Sequence, residues 1–438
     1  MNKKEIKKAL CDAVDSAAKN IELFANDMAN HPELGFNEKY TSAKLADELE
    51  SLGLTVSRNI ALTGIRSDIN GKTLGPKIAV MGELDGITCQ SHPQADPSTG
   101  ASHSCGHNLQ TAIVLAVATA LTKTGIMKDL SGTVSLMGVP AEEFIEIEHR
   151  KEMKDSGQIV YLCGKPEFIR LGILDDIAMS MMIHAGEDVQ GKGFALPTTG
   201  IGFRVFMLQY IGVQAHAAAA PDKGINALNA AIIGINAVNA LRETFRDEDH
   251  VRVHYKITKG GSSANSVPSD VRLEGYVRAG KADCIDMVFE KVINAFRAGA
   301  LAIGAKCFVT SLPGDMPLNA SEDLNEVFCS NASELVGSEN VICGTHFAAS
   351  TDMGDVTHLM PAIHPFGGGV AGSLHAADFR VTDFDAAVLT PAKAILMTLV
   401  DLLADDAVSA KKIVRNFKPV YTKEEYLAAM DKRFFSEI

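Results

Sequence analysis

Residues 77–86 read Lys-Ile-Ala-Val-Met-Gly-Glu-Leu-Asp-Gly, an apolar run that stops abruptly at a turn carrying two acids. Two runs of the same kind follow, Thr133–Val139 (TVSLMGV) and Ile177–Ile183 (IAMSMMI), and each closes on a polar or glycine-rich turn. Continuous hydrophobicity over so short a stretch marks a strand buried on both faces, whereas alternation would leave one face wet. Helical patterns such as Gln110–Thr124 separate the runs. Strands alternating with helices predict an α/β fold whose sheet is covered on both sides. Upstream, residues 1–53 read as helices, with Ile6, Leu10 and Val14 on one stripe and Gly53 as a C-terminal stop.

The pattern changes near residue 198. Residues 203–213 are strand-like, and Gly224–Arg246 is helical with Ile225, Leu228, Ile232, Ile235 and Val238 on one face. Residues 251–258 and 271–279 alternate cleanly; Ala282–Gly304 is a second helix and Lys306–Ser311 a last strand. The order β-α-β-β-α-β is the ferredoxin-like arrangement. It predicts a separate domain, residues 198–314, inserted into a first domain made of 1–197 and 315–438. The α/β pattern then resumes through Leu318–Val336, Ala362–Phe366 and the helix Val388–Leu403.

The 438 residues are 46% hydrophobic and 22% charged, the balance of a globular protein long enough for more than one domain. A net charge of −13 argues against a nucleic-acid partner, which would want a basic face. No apolar signal-peptide core follows Met1-Asn2-Lys3-Lys4-Glu5, and the longest apolar stretches read as too short for a membrane span. Cytoplasmic residence without a membrane partner is therefore expected. Eight cysteines without paired spacing argue against a disulfide framework in a chain this long. Neither a Gly-x-Ser-x-Gly elbow nor a Walker-type phosphate loop is present.

The chemistry concentrates where apolar segments end. Ser104-Cys105-Gly106-His107-Asn108 places a thiol and an imidazole two residues apart, a pair suited to a borderline-soft cation such as zinc. In extended backbone the two side chains point the same way, and a helix beginning near Asn108 is expected to favour the Cys105 thiolate. Pro140-Ala141-Glu142-Glu143 follows a strand directly, and open α/β sheets bind ligands at the carboxyl ends of strands. Adjacent carboxylates divide the work: Glu143 as ligand, Glu142 as general base. His184 closes the run 179–183, and His375 follows the flexible Gly367-Gly368-Gly369. Asp85, at another strand end, suits a carboxylate that orients a ligand histidine. Taken singly, Cys105 and His107 read as a buried cysteine and a turn histidine, the acid pair as a solvated loop and His375 as a loop histidine, with His184 evenly a core residue or a ligand; their joint occurrence points to a metal-centred hydrolase.

Further segments occur in a fixed order: His31–Phe36 (HPELGF), Gly82–Gly86, Ser104–Asn108, Pro140–Glu143, Met182–Gly186, and Gln214–Ala217 with Pro221, Gly224 and Asn226. Asn265-Ser266-Val267-Pro268, Ser350–Val356 and Leu374-His375 complete the series. Together they resemble the metallopeptidase and aminoacylase superfamily that includes hippurate hydrolase and the indole-acetyl-amino-acid hydrolases, and most resemble its p-aminobenzoyl-glutamate hydrolase branch. The resemblance spans nearly the whole chain. It implies a mixed-sheet catalytic domain with two divalent metal ions, zinc or manganese, and a ferredoxin-like lid that commonly makes a homodimer. By matching position, Cys105, His107, Glu143, His184 and His375 would be the ligands, with Cys105 bridging and Glu142 the base. On the lid, His216, Asn265 and Arg278 match residues that recognise the substrate's carboxylate or the developing oxyanion.

Three departures point to an acyl-amino acid of the p-aminobenzoyl-glutamate type, or a dipeptide, as the substrate. Asn108 stands where hippurate-type members carry Asp, Leu84–Thr88 replaces Met-Asp-Ala-Leu-Pro, and a charged stretch occupies 144–166. Two competing readings are a catalytically silent binder of acylated amino acids and a purely structural zinc site. Filled positions for all five ligands and the base favour the enzyme.

Overall fold

The computed structural model describes residues 2–437, which form two compact units. The first comprises Met1–Thr199, Asn319–His346 and Asp355–Val420; the second comprises Gly200–Leu318, Phe347–Gly354 and Tyr421–Ile438.

In the first unit, the opening run is the inner strand Thr73–Glu83, and its last six residues are buried. It pairs in parallel with Ser131–Val139 on one side and Met179–Met181 on the other. Ala362–Ile363 extends the parallel part. Gly64–Asn70 runs antiparallel to Ser131–Val139, and Val56–Ile60 caps that edge, so the six-stranded sheet is mixed. That hairpin is polar and half-exposed, which is why a search for apolar runs passes over it. Lys3–Ala29 buries a stripe from Ile6 to Met28 and starts at a capping box between Asn2 and Glu5. His107–Thr124 is buried on all sides through Leu121, as a helix inside a core must be. The segment Asp385–Leu403, contrary to expectation, is long and apolar enough to cross a membrane by length and composition. It is 89% buried in the protein and packs with the N-terminal helix, His107–Thr124 and Glu322–Val336.

The second unit holds strand Gly202–Ile211, helix Ala227–Leu241, strands Arg252–Lys259 and Asp270–Ala279, helix Ala282–Ile303 and strand Lys306–Pro313. All strand pairs are antiparallel, and the sequence-order strands lie fourth, first, third, second across the sheet. The two helices pack together over a core that includes Phe206, Tyr210, Val238, Leu273, Phe289 and Phe296. Two segments expected in the first domain group here instead: Phe347–Gly354 and Tyr421–Ile438. The tail adds Phe435–Glu437 to the free edge of Lys306–Pro313. Buried Arg433 anchors it by donating to both Asp286 oxygens at 3.0 Å. A three-residue strand after a polar helix carries too little pattern to reveal its sheet.

Candidate metal centre

The parallel strands of the first unit run out on the same side of the sheet, at Glu83 opposite Val139 and at Met181 opposite Val80. Their continuations deliver Glu83 and Asp85, Glu142 and Glu143, and His184 to one place. Cys105 and His107 arrive on the turn into the buried helix. That turn is not extended: Gly106 has φ +81°, and His107 is the first helical residue. A left-handed residue is nearly strain-free only as glycine. The His375 loop closes the ring of segments, its own backbone left-handed (φ +65°) and its N–H donating to the Ser104 carbonyl at 2.8 Å. Ala141 (φ +51°) turns the chain before the two glutamates, and strained backbone of this kind collects at functional sites.

Donor atoms of Cys105, His107 and His184 lie within 4.8 Å of one another, as do those of Cys105, Glu143 and His375. Cys105 Sγ is 3.4 Å from His184 Nε2 and 3.2 Å from His375 Nε2, and His375 Nε2 is 3.0 Å from Glu143 Oε1. The two buried ligand candidates, His107 and His184, are each oriented through the other nitrogen. His107 Nδ1 faces the Asp85 carbonyl at 2.9 Å and its Oδ1 at 3.1 Å; His184 Nδ1 donates to the Ala185 carbonyl at 2.7 Å. Asp85 Oδ2 also accepts from the Glu143 N–H at 3.0 Å, so one carboxylate fixes two of the converging segments. Glu142 is slightly exposed, with Oε2 3.9 Å from His107 Nε2.

The electrostatics fit a cation. His107 Nε2 is buried and makes no contact of hydrogen-bond geometry, an arrangement that costs free energy unless a positive charge is bound there. Burial opposes the His107 charge, but Glu83 and Asp85 outweigh it and push its pKa up to about 10. His184 goes the other way, to about 4, through burial and the neighbouring His107. Burial, then Glu143 and Glu142, push the Cys105 thiol well above its usual value. The expected help from the helix N-terminus is therefore overridden, and the thiolate forms where a cation offsets those carboxylates.

Three residues of this centre carried no recognised signal. Glu83 is buried, with Oε1 2.6 Å from the buried Lys165 Nζ and Oε2 3.0 Å from His107 Nε2. His364 stacks edge-on against His184. A clue to Glu83 was available, because it lies two residues from Asp85 at the same strand end; Lys165, from the charged 144–166 stretch, offered none.

The remaining candidates lie in the second unit. His216 and Asn265 come together there: a β-bridge links His216 to Ser266, and Ala217 N–H donates to the Asn265 carbonyl at 3.0 Å. Both are exposed. Arg278 is elsewhere engaged, donating to His254 at 3.0 Å and to Ser350 at 2.7 Å and lying over Phe203 and Tyr276.

The sequence profile described as Peptidase family M20/M25/M40 matches residues 80–401. The Xaa-Arg dipeptidase of Mus musculus is 25% identical over 437 residues, 96% of this chain and 94% of that protein. One of the two p-aminobenzoyl-glutamate hydrolase polypeptides of Escherichia coli (strain K12) is 29% identical over 310 residues, 68% of this chain and 58% of that polypeptide. Among solved structures, a dinuclear metal binding peptidase of the M20 family from Bacillus subtilis has the same fold, with TM-score 0.66 at 20% identity, covering 90% of this chain and all (100%) of that one. The aminobenzoyl-glutamate utilization protein from Klebsiella pneumoniae also gives 0.66, at 18% identity, covering 90% of this chain and 98% of that one.

Proposed function

Because the chain belongs to peptidase family M20/M25/M40 and is thus a hydrolase of amide bonds, we propose that it cleaves an N-acyl amino acid or dipeptide-like substrate of the p-aminobenzoyl-glutamate type. The observation that supports this most is the placement of Glu142: it adjoins Glu143, is slightly exposed, and lies outside both donor groups anchored by Cys105 while its carboxylate stays within 4.8 Å of His107 and Glu83. In this reading Cys105, His107, Glu143, His184 and His375 would hold two divalent ions, zinc or manganese. Such ions supply Lewis acidity and make water nucleophilic near neutral pH. Glu142 takes the proton from the attacking water and passes it to the leaving amine. Asp85 keeps the His107 ring in the tautomer whose Nε2 is free to bind metal. His216, Asn265 and Arg278 are assigned to the substrate's carboxylate and the developing oxyanion. Arg278 ranks last among them, because two of its N–H groups are already committed. The second unit acts as lid and homodimer contact, in a cytoplasmic enzyme.

The test is a turnover screen of p-aminobenzoyl-glutamate, other acyl-amino acids and dipeptides, with zinc or manganese added and bound metal measured. Glu142→Gln is expected to keep its metal and lose about 10²–10⁴-fold in rate. Near-normal turnover by that variant would remove Glu142 from the role. Metal bound without hydrolysis of any amide in the screen would overturn the enzymatic reading in favour of a silent binder.

A further inference from the structure

Glu83 ends the inner strand of the first unit, and its side chain, like that of Lys165, is wholly buried. Its orientation is fixed three times over. The Gln110 side-chain oxygen accepts from the Glu83 backbone N–H at 3.2 Å, which turns the Gln110 amide nitrogen toward Glu83 Oε2 at 2.8 Å. Lys165 Nζ holds Oε1 at 2.6 Å. What remains is the contact of Oε2 with His107 Nε2, at 3.0 Å and without hydrogen-bond geometry. The two groups opposite His107 Nδ1, the Asp85 carbonyl and Oδ1, are both acceptors, so the ring proton belongs on Nδ1. Nε2 and Glu83 Oε2 thus face each other as two donors to one ion would, both aimed into the same space. Donors at about 2.1 Å from one ion stand about 3.0 Å apart at the right angles of an octahedral site and about 3.4 Å apart at tetrahedral angles. Glu142 completes a trio with these two, all donor atoms within 4.8 Å.

We infer that Glu83 is a further metal-holding side chain of this centre, bound through Oε2, with Lys165 clamping its other oxygen. The inference rests on the metal site proposed above. It gives the ion at His107 an oxygen donor in addition to nitrogen and sulfur, which widens the site toward ions that accept oxygen, manganese among them. Lys165 has a positioning part: a buried ammonium needs a carboxylate, and by holding Oε1 it leaves Oε2 facing the centre.

The experiment compares the full chain with Glu83→Gln and with the double variant Glu83→Gln/Lys165→Met. Bound metal is counted after dialysis, and zinc and manganese affinities are measured by chelator competition. Removing a buried ion pair as a unit is commonly tolerated, so the double variant reports even if the single one misfolds, and melting without added metal checks its fold. Both variants are expected to lose one metal equivalent or to bind at least about tenfold more weakly. Unchanged stoichiometry and affinity in the double variant would overturn the inference, because Glu83 would then serve Lys165 alone. An unaltered chain that binds no divalent ion at all would instead bring down the proposed function, a separate result.

Discussion

Glu38 shows how strongly single residues behind the centre depend on their surroundings. Its carboxyl is fully buried and accepts from Ala141 N–H at 2.7 Å and from the Thr63 hydroxyl at 2.6 Å. Burial, then the Asp85 charge, raise its pKa from 4.5 to about 8 against the pull of those hydrogen bonds. Between those two values the folded chain holds a proton that the unfolded chain has released. The contribution to stability is therefore complete below about pH 4.5 and is lost as pH rises through about 8. Glu38→Gln removes the titration. The stability advantage of the unaltered chain over this variant, from urea melts at several pH values, is expected to shrink across that window. An advantage independent of pH would refute the assignment.

Among the elements, the turn Pro140–Glu143 is held by a close backbone approach. A Cβ on Gly164 would lie 1.8 Å from the Pro140 carbonyl oxygen, and Gly164 N–H donates to the Ala141 carbonyl. The start of helix Gly164–Arg170 thus presses on the turn that carries both glutamates. Gly164→Ala forces the two backbones apart, at a cost of about 1–3 kcal/mol or more. Urea unfolding is expected to register that loss, and metal analysis a weaker hold on divalent ions, because Glu143 moves with the turn. A variant of unaltered stability would show that the contact is not confining.

At the scale of the whole molecule, every residue of the metal centre lies in the first unit, whose core is separate from that of the second. A ligand that binds only the folded state stabilises it by about 2.7 kcal/mol at a hundredfold excess over Kd. Stripping metal with a chelator is expected to lower the unfolding temperature of the first unit and leave the transition of the second in place. Scanning calorimetry of the full chain with and without chelator reads both. Equal shifts in two transitions, or none, would contradict a centre confined to the first unit.

Local pattern carried much of this protein. The apolar runs at 77–82 and 133–139, and the helix at 107–124, are legible because burial on both faces leaves continuous hydrophobicity, a property of neighbouring residues. The order of strands and helices along the second unit is legible from alternation and helix periodicity in the same way. Cys105, His107, Glu142, Glu143, His184 and His375 stood out because each interrupts such a pattern at its end. What neighbours in sequence do not encode was decided by the fold: the pairing of Glu83 with Lys165, 82 residues apart, the return of the tail to the second sheet, and the sign of the shift at Cys105. Coulomb energy and burial depend on distance through space. A helix beginning two residues after Cys105 promised a thiolate, but burial, and then the carboxylates of Glu143 and Glu142 brought in from a distant segment, reversed it.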